Sequence, residues 1–319
     1  MTRLRCAILD DYLDLSQKLA DWSKIKDRVD VTVFKEPLTT PDAVAAALKD
    51  FEIICAMRER TPFPRSMFER LPNLKLLITS GMRNNSIDLE AAKDKHVTVC
   101  GTKWSKDPTA PLTMAMILEL TRNVGRENAR MHAGEYLQKH VGIEIEDKTL
   151  GVIGLGKLGA KVAGLAQAFG MNVIAWSPNL TKERCAEVGV TYATKEELFS
   201  KADFITIHVV LSDRSRGLVG AADLARMKPT SFIVNTSRGP IIDEMALFET
   251  LKARKIAGAA VDVFSVEPLP VDHQFRKLDN LVLTPHLGYV TQETFVAHYN
   301  QMVEGIEGWL KGEPVRKLN

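Results

Sequence analysis

Gly151-Val152-Ile153-Gly154-Leu155-Gly156-Lys157-Leu158-Gly159 reads as the end of a strand, a glycine turn and the first turn of a helix. Residues 149–153 supply the strand, and Leu158, Val162, Leu165 and Phe169 follow at helical spacing. In such a turn Gly154 permits the tight bend, Gly156 lets main-chain amides approach a phosphate, and Gly159 lets helix and strand pack closely. The opening N–H groups of the helix, at Lys157, Leu158 and Gly159, face outward with the positive end of its dipole, which suits a dinucleotide pyrophosphate. Three glycines by themselves would also serve a structural turn. The strand before them and the helix after them favour dinucleotide binding.

This motif begins about 150 residues into a chain of 319, which leaves room for a separate domain ahead of it. Short apolar runs at 4–9, 29–34, 52–57, 74–79 and 96–100 alternate with helix-forming stretches at 42–49 and 64–71, the pattern of a parallel sheet covered by helices. Pro108 and Pro111 lead into a helix over 112–123, and the polar stretch 125–142 is expected to form an arm on a partner subunit. A second series has strands at 149–153, 172–176, 204–209, 231–235, 258–263 and 281–284, with helices near 157–169, 221–227 and 244–251. Six strands with a glycine turn after the first is the layout of a doubly wound nucleotide-binding sheet. An amphipathic helix over 291–310 would return to the first domain. The expected division is 1–101 for the first part of a substrate domain, 102–289 for the dinucleotide-binding domain, and 290–319 for the returning helix.

Bulk properties narrow the classes. With 45% hydrophobic and 26% charged residues the chain reads as a soluble globular protein. A formal net charge of +2 gives no case for nucleic acid. No apolar stretch reaches the 18 or so residues that span a bilayer, and Asp10 and Asp11 come too early for a secretion signal. The four cysteines, at 6, 55, 100 and 185, form no close pair, so a reducing cytoplasm is the expected compartment. The histidines show no metal-ligand spacing, so no metal is expected; His208 falls inside an apolar strand, and His273 and His298 lie among exposed-looking neighbours.

An NAD site places an acid at the end of the second strand of the motif. Here Trp176 is followed by Ser177-Pro178-Asn179-Leu180-Thr181-Lys182-Glu183-Arg184, with no acid at the strand end. Ser177 and Asn179 are suited to bond a 2′-phosphate and Lys182 or Arg184 to neutralise it, so the balance favours NADP over NAD. The other reading makes Lys182 and Arg184 solvated helix residues.

Three polar residues stand just past predicted strands, where loops of such sheets face the ligand crevice. Arg238, after Asn235-Thr236-Ser237, would grip a carboxylate through two parallel bonds and polarise a neighbouring carbonyl. His286, in Thr284-Pro285-His286-Leu287-Gly288-Tyr289, is the natural proton donor to a forming alkoxide. Glu267, before Pro268, would fix the imidazole tautomer. A surface ion pair for Arg238 and a structural role for His286 are the bland alternatives. Asp262 is placed either to accept from the nicotinamide carboxamide or to serve a cap or turn. In the first domain, the loop at Gly81-Met82-Arg83-Asn84-Asn85-Ser86 would offer amides to a substrate carboxylate across a cleft, Arg83 adding charge or capping the loop. Trp104 and the pair Arg58 and Arg60 are candidates to line the same cleft.

These residues carry a resemblance. GVIGLGKLG at 151–159, NTSRGPIIDE at 235–244, DVFSVEPLP at 262–270 and LTPHLGY at 283–289 resemble the D-isomer-specific 2-hydroxyacid dehydrogenase family over essentially the whole length. The resemblance implies two doubly wound parallel-sheet α/β domains, a Rossmann cofactor domain and a flavodoxin-like substrate domain made from both chain ends. It implies reversible reduction of small 2-keto acids to D-2-hydroxy acids with NADH or NADPH by a homodimer, nearest to glyoxylate and hydroxypyruvate reductases through the Trp176-Ser177 pair. By motif, Arg238 corresponds to the substrate-binding arginine, Glu267 to its carboxylate partner and His286 to the general acid/base. Gly154, Gly156 and Gly159 correspond to the cofactor glycines and Asp262 to the residue near the nicotinamide. Met82 and Arg83 stand where the family usually has Val-Gly, and Pro111 where it has a glutamate. A nicotinamide-sensing corepressor of the same fold is the alternative from another class.

Overall fold

The computed structural model describes residues 2–104 and 106–319. The chain divides into two compact units, Met1–Lys106 with Thr291–Asn319, and Asp107–Val290. The first unit runs β1 (Leu4–Ile8), α1 (Ser16–Leu19), β2 (Val29–Val33), α2 (Pro41–Leu48), β3 (Ile53–Ala56), α3 (Arg65–Arg70), β4 (Leu76–Thr79), α4 (Leu89–Asp94) and β5 (Thr98–Gly101). All its strand pairings are parallel, in the order β2-β1-β3-β4-β5, the flavodoxin-like order.

The second unit runs α5 (Thr109–Arg122), α6 (Val124–His132), β6 (Thr149–Ile153), α7 (Lys157–Ala168), β7 (Asn172–Trp176), α8 (Lys182–Val188), β8 (Thr191–Tyr192), α9 (Lys195–Lys201), β9 (Phe204–Ile207), α10 (Ala221–Leu224), β10 (Phe232–Asn235), α11 (Glu244–Lys252), β11 (Gly258–Val261) and β12 (Leu281–Leu283). Its sheet has the order β12-β11-β10-β9-β6-β7-β8, which reverses between β6 and β9 as in a Rossmann sheet. The final helix, α12 (Gln292–Leu310), belongs to the first unit. Beyond it the chain lies along β5, with Leu318 donating to the Val99 carbonyl at 2.8 Å.

The central strands β3, β4, β9, β10 and β11 are buried along their whole length because both faces of each sheet are covered. Along β10, Phe232 and Val234 enter one core with Leu150, Val152 and Ala260, whereas Ile233 enters another with Ile153, Ile205 and Ala259. That alternation is the two-residue period of a strand. In the first unit Leu48, Phe63, Phe68 and Leu77 fill the corresponding core, all 2% exposed or less. Side-chain oxygens close many helix starts. Thr40 caps α2, Asp88 caps α4, Thr181 caps α8, Asp243 caps α11, and Thr194 with Glu197 forms a capping box on α9.

Several elements differ from the sequence reading. The second sheet has a seventh strand, β8, whose two residues are too short a run to stand out. Helix α5 opens at Thr109 and takes Pro111 into its first turn, where a missing N–H costs nothing. The stretch read as a polar arm starts as α6, which buries no residue, and the segment exposes Val124, Met131, Tyr136, Leu137 and Val141. His208 falls one residue past the end of β9. His298, read among exposed neighbours, is fully buried on α12, whose inward face also carries Phe295, Tyr299, Met302 and Ile306. The four cysteines are buried free thiols. Among the described residues no helix is long and apolar enough to cross a membrane.

Candidate active site

The glycine turn joins β6 to α7. Gly154 sits at φ +96°, a region that costs a side chain dearly, and its N–H bonds the Trp176 carbonyl at 2.8 Å. A Cβ on Gly159 would run into the Gly154 carbonyl oxygen, so helix and turn meet backbone to backbone. A Cβ on Gly156 would meet nothing within 4 Å. That open cradle stands over a helix start which, unlike those of α8, α9 and α11, no side chain caps. Unpaired first-turn N–H groups beside free space fit an anionic pyrophosphate. Lys157 turns its ammonium to Asp107, 3.1 Å away, so only its amide belongs to the cradle, and Leu158 packs into the apolar core below.

Past β7, Ser177 is half-buried and Asn179 and Lys182 are exposed. Arg184 reaches back to the turn, its Nε donating to the Leu155 carbonyl at 3.4 Å while Nη1 pairs with Glu187 at 2.9 Å. Of the two cationic candidates Arg184 is therefore anchored at the glycine turn.

The reactive candidates stand at the carboxyl ends of three adjacent strands, β10, β11 and β12. Arg238 follows β10 in a loop braced by Asn235, whose Nδ2 donates to the Arg238 carbonyl at 3.0 Å and whose Oδ1 accepts from Ser237 N–H at 3.0 Å. Ser237 donates its hydroxyl to the Val209 carbonyl at 2.6 Å. A Cβ on Gly239 would strike the Phe264 carbonyl group, so this residue lets the Arg238 loop lie against the loop after β11. In that second loop Glu267 accepts from Phe264 N–H at 2.9 Å through Oε1, and its Oε2 lies 2.6 Å from His286 Nδ1. The bond from Nδ1 to carboxylate fixes the orientation of the ring and leaves Nε2 for a substrate. His286 keeps 19% of its side chain accessible, enough for a reactant to touch.

Asp262 lies at the end of β11 with no exposed surface. Its Oδ1 accepts from Thr284 Oγ1 at 2.6 Å and Leu287 N–H at 2.7 Å, its Oδ2 from Gly288 N–H at 2.8 Å. Burial pushes its carboxyl above the usual range, against those three bonds. The carboxylate thus ties down the loop that carries His286, which itself sits at φ +56° with its N–H on the Asp262 carbonyl. These bonds are those of a residue that closes a turn. Sequence reading missed the bracing by Asn235, Ser237 and Thr284, whose side chains look unremarkable until the strand ends lie side by side.

In the first unit, Met82 and Arg83 follow β4. Met82 is 39% exposed, and Arg83 donates Nε to Asn85 Oδ1 at 3.3 Å. Gly81 at φ +94° turns the loop and donates to Thr102 Oγ1 at 2.9 Å. Among the described residues the Met82 and Arg83 amides have no hydrogen-bond partner. None of the His, Cys, Asp or Glu side chains there gather into a group that could hold a metal ion.

The chain resembles known proteins over nearly its whole length. Residues 114–288 match the family model described as D-isomer specific 2-hydroxyacid dehydrogenase, NAD binding domain. A D-3-phosphoglycerate dehydrogenase of Methanocaldococcus jannaschii is 39% identical over 86% of this chain and 52% of its own length. A hydroxypyruvate reductase of Blautia hydrogenotrophica is 30% identical over 99% of this chain and 100% of its own. The crystal structure of a phosphoglycerate oxidoreductase from Vibrio cholerae O395 superposes with a TM-score of 0.91 at 33% identity, covering 97% of this chain and 99% of that one. This chain belongs to the D-isomer specific 2-hydroxyacid dehydrogenase family. It spans about half the length of the phosphoglycerate dehydrogenases it matches.

Proposed function

We propose that this protein reversibly reduces a small 2-keto acid to the D-2-hydroxy acid with a nicotinamide dinucleotide, NADPH ahead of NADH. The observation that carries the reading is the 2.6 Å bond from His286 Nδ1 to Glu267 beside the Arg238 loop, on neighbouring strand ends of a sheet with an open glycine cradle. The bound dinucleotide supplies the hydride. Lys157, Leu158 and Gly159 would hold its pyrophosphate through their amides. The guanidinium of Arg238 grips the substrate carboxylate and draws charge toward the keto oxygen. His286 donates the proton to that oxygen and takes it back in the reverse direction, with Glu267 steadying the imidazolium. The amides of Met82 and Arg83, in the first unit, are a further candidate site for a carboxylate. The preference for NADPH rests on the missing acid after β7, with Ser177, Asn179, Lys182 and Arg184 toward the 2′-phosphate. Glyoxylate and hydroxypyruvate are the substrates to try first. The apolar side chains exposed around α6 suit a second copy of this chain, giving a homodimer, and the cytoplasm is the proposed compartment.

The test is to titrate the purified protein with NADH and NADPH, then follow cofactor oxidation with a panel of 2-keto acids. His286→Ala should lower turnover by about 10²–10⁴-fold while cofactor binding persists. A panel in which no 2-keto acid is reduced with either cofactor would sink the reading.

A further inference from the structure

The Met82–Arg83 loop is held by groups that no step above uses. The Arg58 guanidinium donates Nη1 to the Ser80 carbonyl at 3.1 Å and to the Arg83 carbonyl at 3.4 Å, bracketing the loop from both sides of Met82. Its Nη2 pairs with Glu59 at 3.2 Å, and its Cζ lies 5.1 Å from the centroid of the Trp104 ring. Next to it, buried Thr102 accepts the Gly81 N–H and lies 2.6 Å from Nδ1 of fully buried His298. The hydroxyl of Thr102 has one proton to give and already accepts one bond. Donation to Nδ1 is the arrangement that leaves that proton satisfied, and it assigns the imidazole proton to Nε2. Nε2 has no hydrogen-bond partner among the described residues, and the ring meets Trp104 edge to face with centroids 4.8 Å apart. Among the described residues Nδ1 is therefore the ring nitrogen that makes a hydrogen bond.

We infer that Arg58 and the Thr102–His298 pair are positioning residues, which hold the Met82 and Arg83 amides in one orientation for the substrate carboxylate. The inference rests on the reading of this loop as a carboxylate site. Pinning the carbonyls of Ser80 and Arg83 and the amide of Gly81 leaves the two amides between them no other direction to turn. A loop so braced binds without first having to order itself, which shows in the affinity for the keto acid. Both groups belong to the first unit and the glycine turn to the second, so the cofactor should not feel their loss.

The experiment measures steady-state kinetics of the full chain with glyoxylate or hydroxypyruvate, for Thr102→Val, Thr102→Ser, Arg58→Met and Arg58→Lys. Thr102→Val and Arg58→Met should raise the keto-acid KM about tenfold, with a smaller change in kcat and an unchanged KM for the dinucleotide. Thr102→Ser restores the hydroxyl and should restore KM; Arg58→Lys, able to reach one carbonyl, should fall between. If Thr102→Val does not fold, the Arg58 series reads the same loop. Variants that fold and keep the wild-type keto-acid KM, or that weaken cofactor and keto acid alike, overturn the inference while the proposed activity stands. A wild-type protein that reduces no 2-keto acid removes the activity and the inference together.

Discussion

The glycine turn after β6 and the Met82–Arg83 loop after β4 occupy equivalent places, each at the carboxyl end of a parallel strand in a doubly wound sheet. They are built by opposite means. The turn depends on residues within nine consecutive positions: a positive φ at Gly154, an open cradle at Gly156 and a backbone contact at Gly159. The loop depends on Arg58, Thr102 and His298, which come from three distant parts of the chain. A site whose geometry is local can be recognised in a sequence; one whose geometry is assembled by packing cannot.

Substitutions can break this contrast. The largest effect is expected from Gly159→Val, whose side chain has to displace the Gly154 carbonyl. It should cost about 3 kcal/mol or more, seen as faster hydrogen exchange in β6 and β7 with β1–β5 unchanged. If β1–β5 loosen equally, the two units are not separate folding bodies.

Acid gives the next effect, and it touches both units. Burial, helped by the charge of Arg58, pushes the His298 imidazole down to about 4, and burial takes His208 down to about 3. Both rings stay neutral in the folded chain where an unfolded histidine, near 6.5, binds a proton. Stability is therefore full above pH 6.5 and falls as pH drops toward 4 for His298, and toward 3 for His208. For fully buried His298 the loss is about 3 kcal/mol across that window. Urea unfolding at pH 7 and pH 4.5 measures it, and His298→Asn should flatten the slope in the first unit. A slope unaffected by that substitution means His298 is not held neutral.

Gly156→Ala should do least to the fold, within about 1 kcal/mol, because its methyl enters free space. The same methyl stands where a phosphate would approach, so dinucleotide affinity should fall about tenfold. Equal cofactor affinity in this variant and the wild type would show that the cradle is not the pyrophosphate site.

Most strands were legible because a strand covered on both faces is a continuous apolar run, whatever lies far away in sequence. β8 escaped because two residues make no run. His298 was misjudged because a histidine reads as polar, although its spacing from Met302 and Phe295 puts it on the inward face of α12. Asp262 illustrates the middle ground: its place at a strand end was plain, but its three loop bonds come from Thr284, Leu287 and Gly288.

By itself the sequence determined the two parallel-sheet domains, the glycine turn and the identity of the polar residues at the strand ends, since periodicity, glycine conformation and motif spacing are local properties. Only the tertiary structure decided that Glu267 bonds His286, that Asp262 holds the loop below it, and that Arg58 and His298 brace a loop distant from both in sequence. Those contacts arise when strand ends are laid side by side and side chains from separate segments meet, and their distances are set by packing rather than by order along the chain.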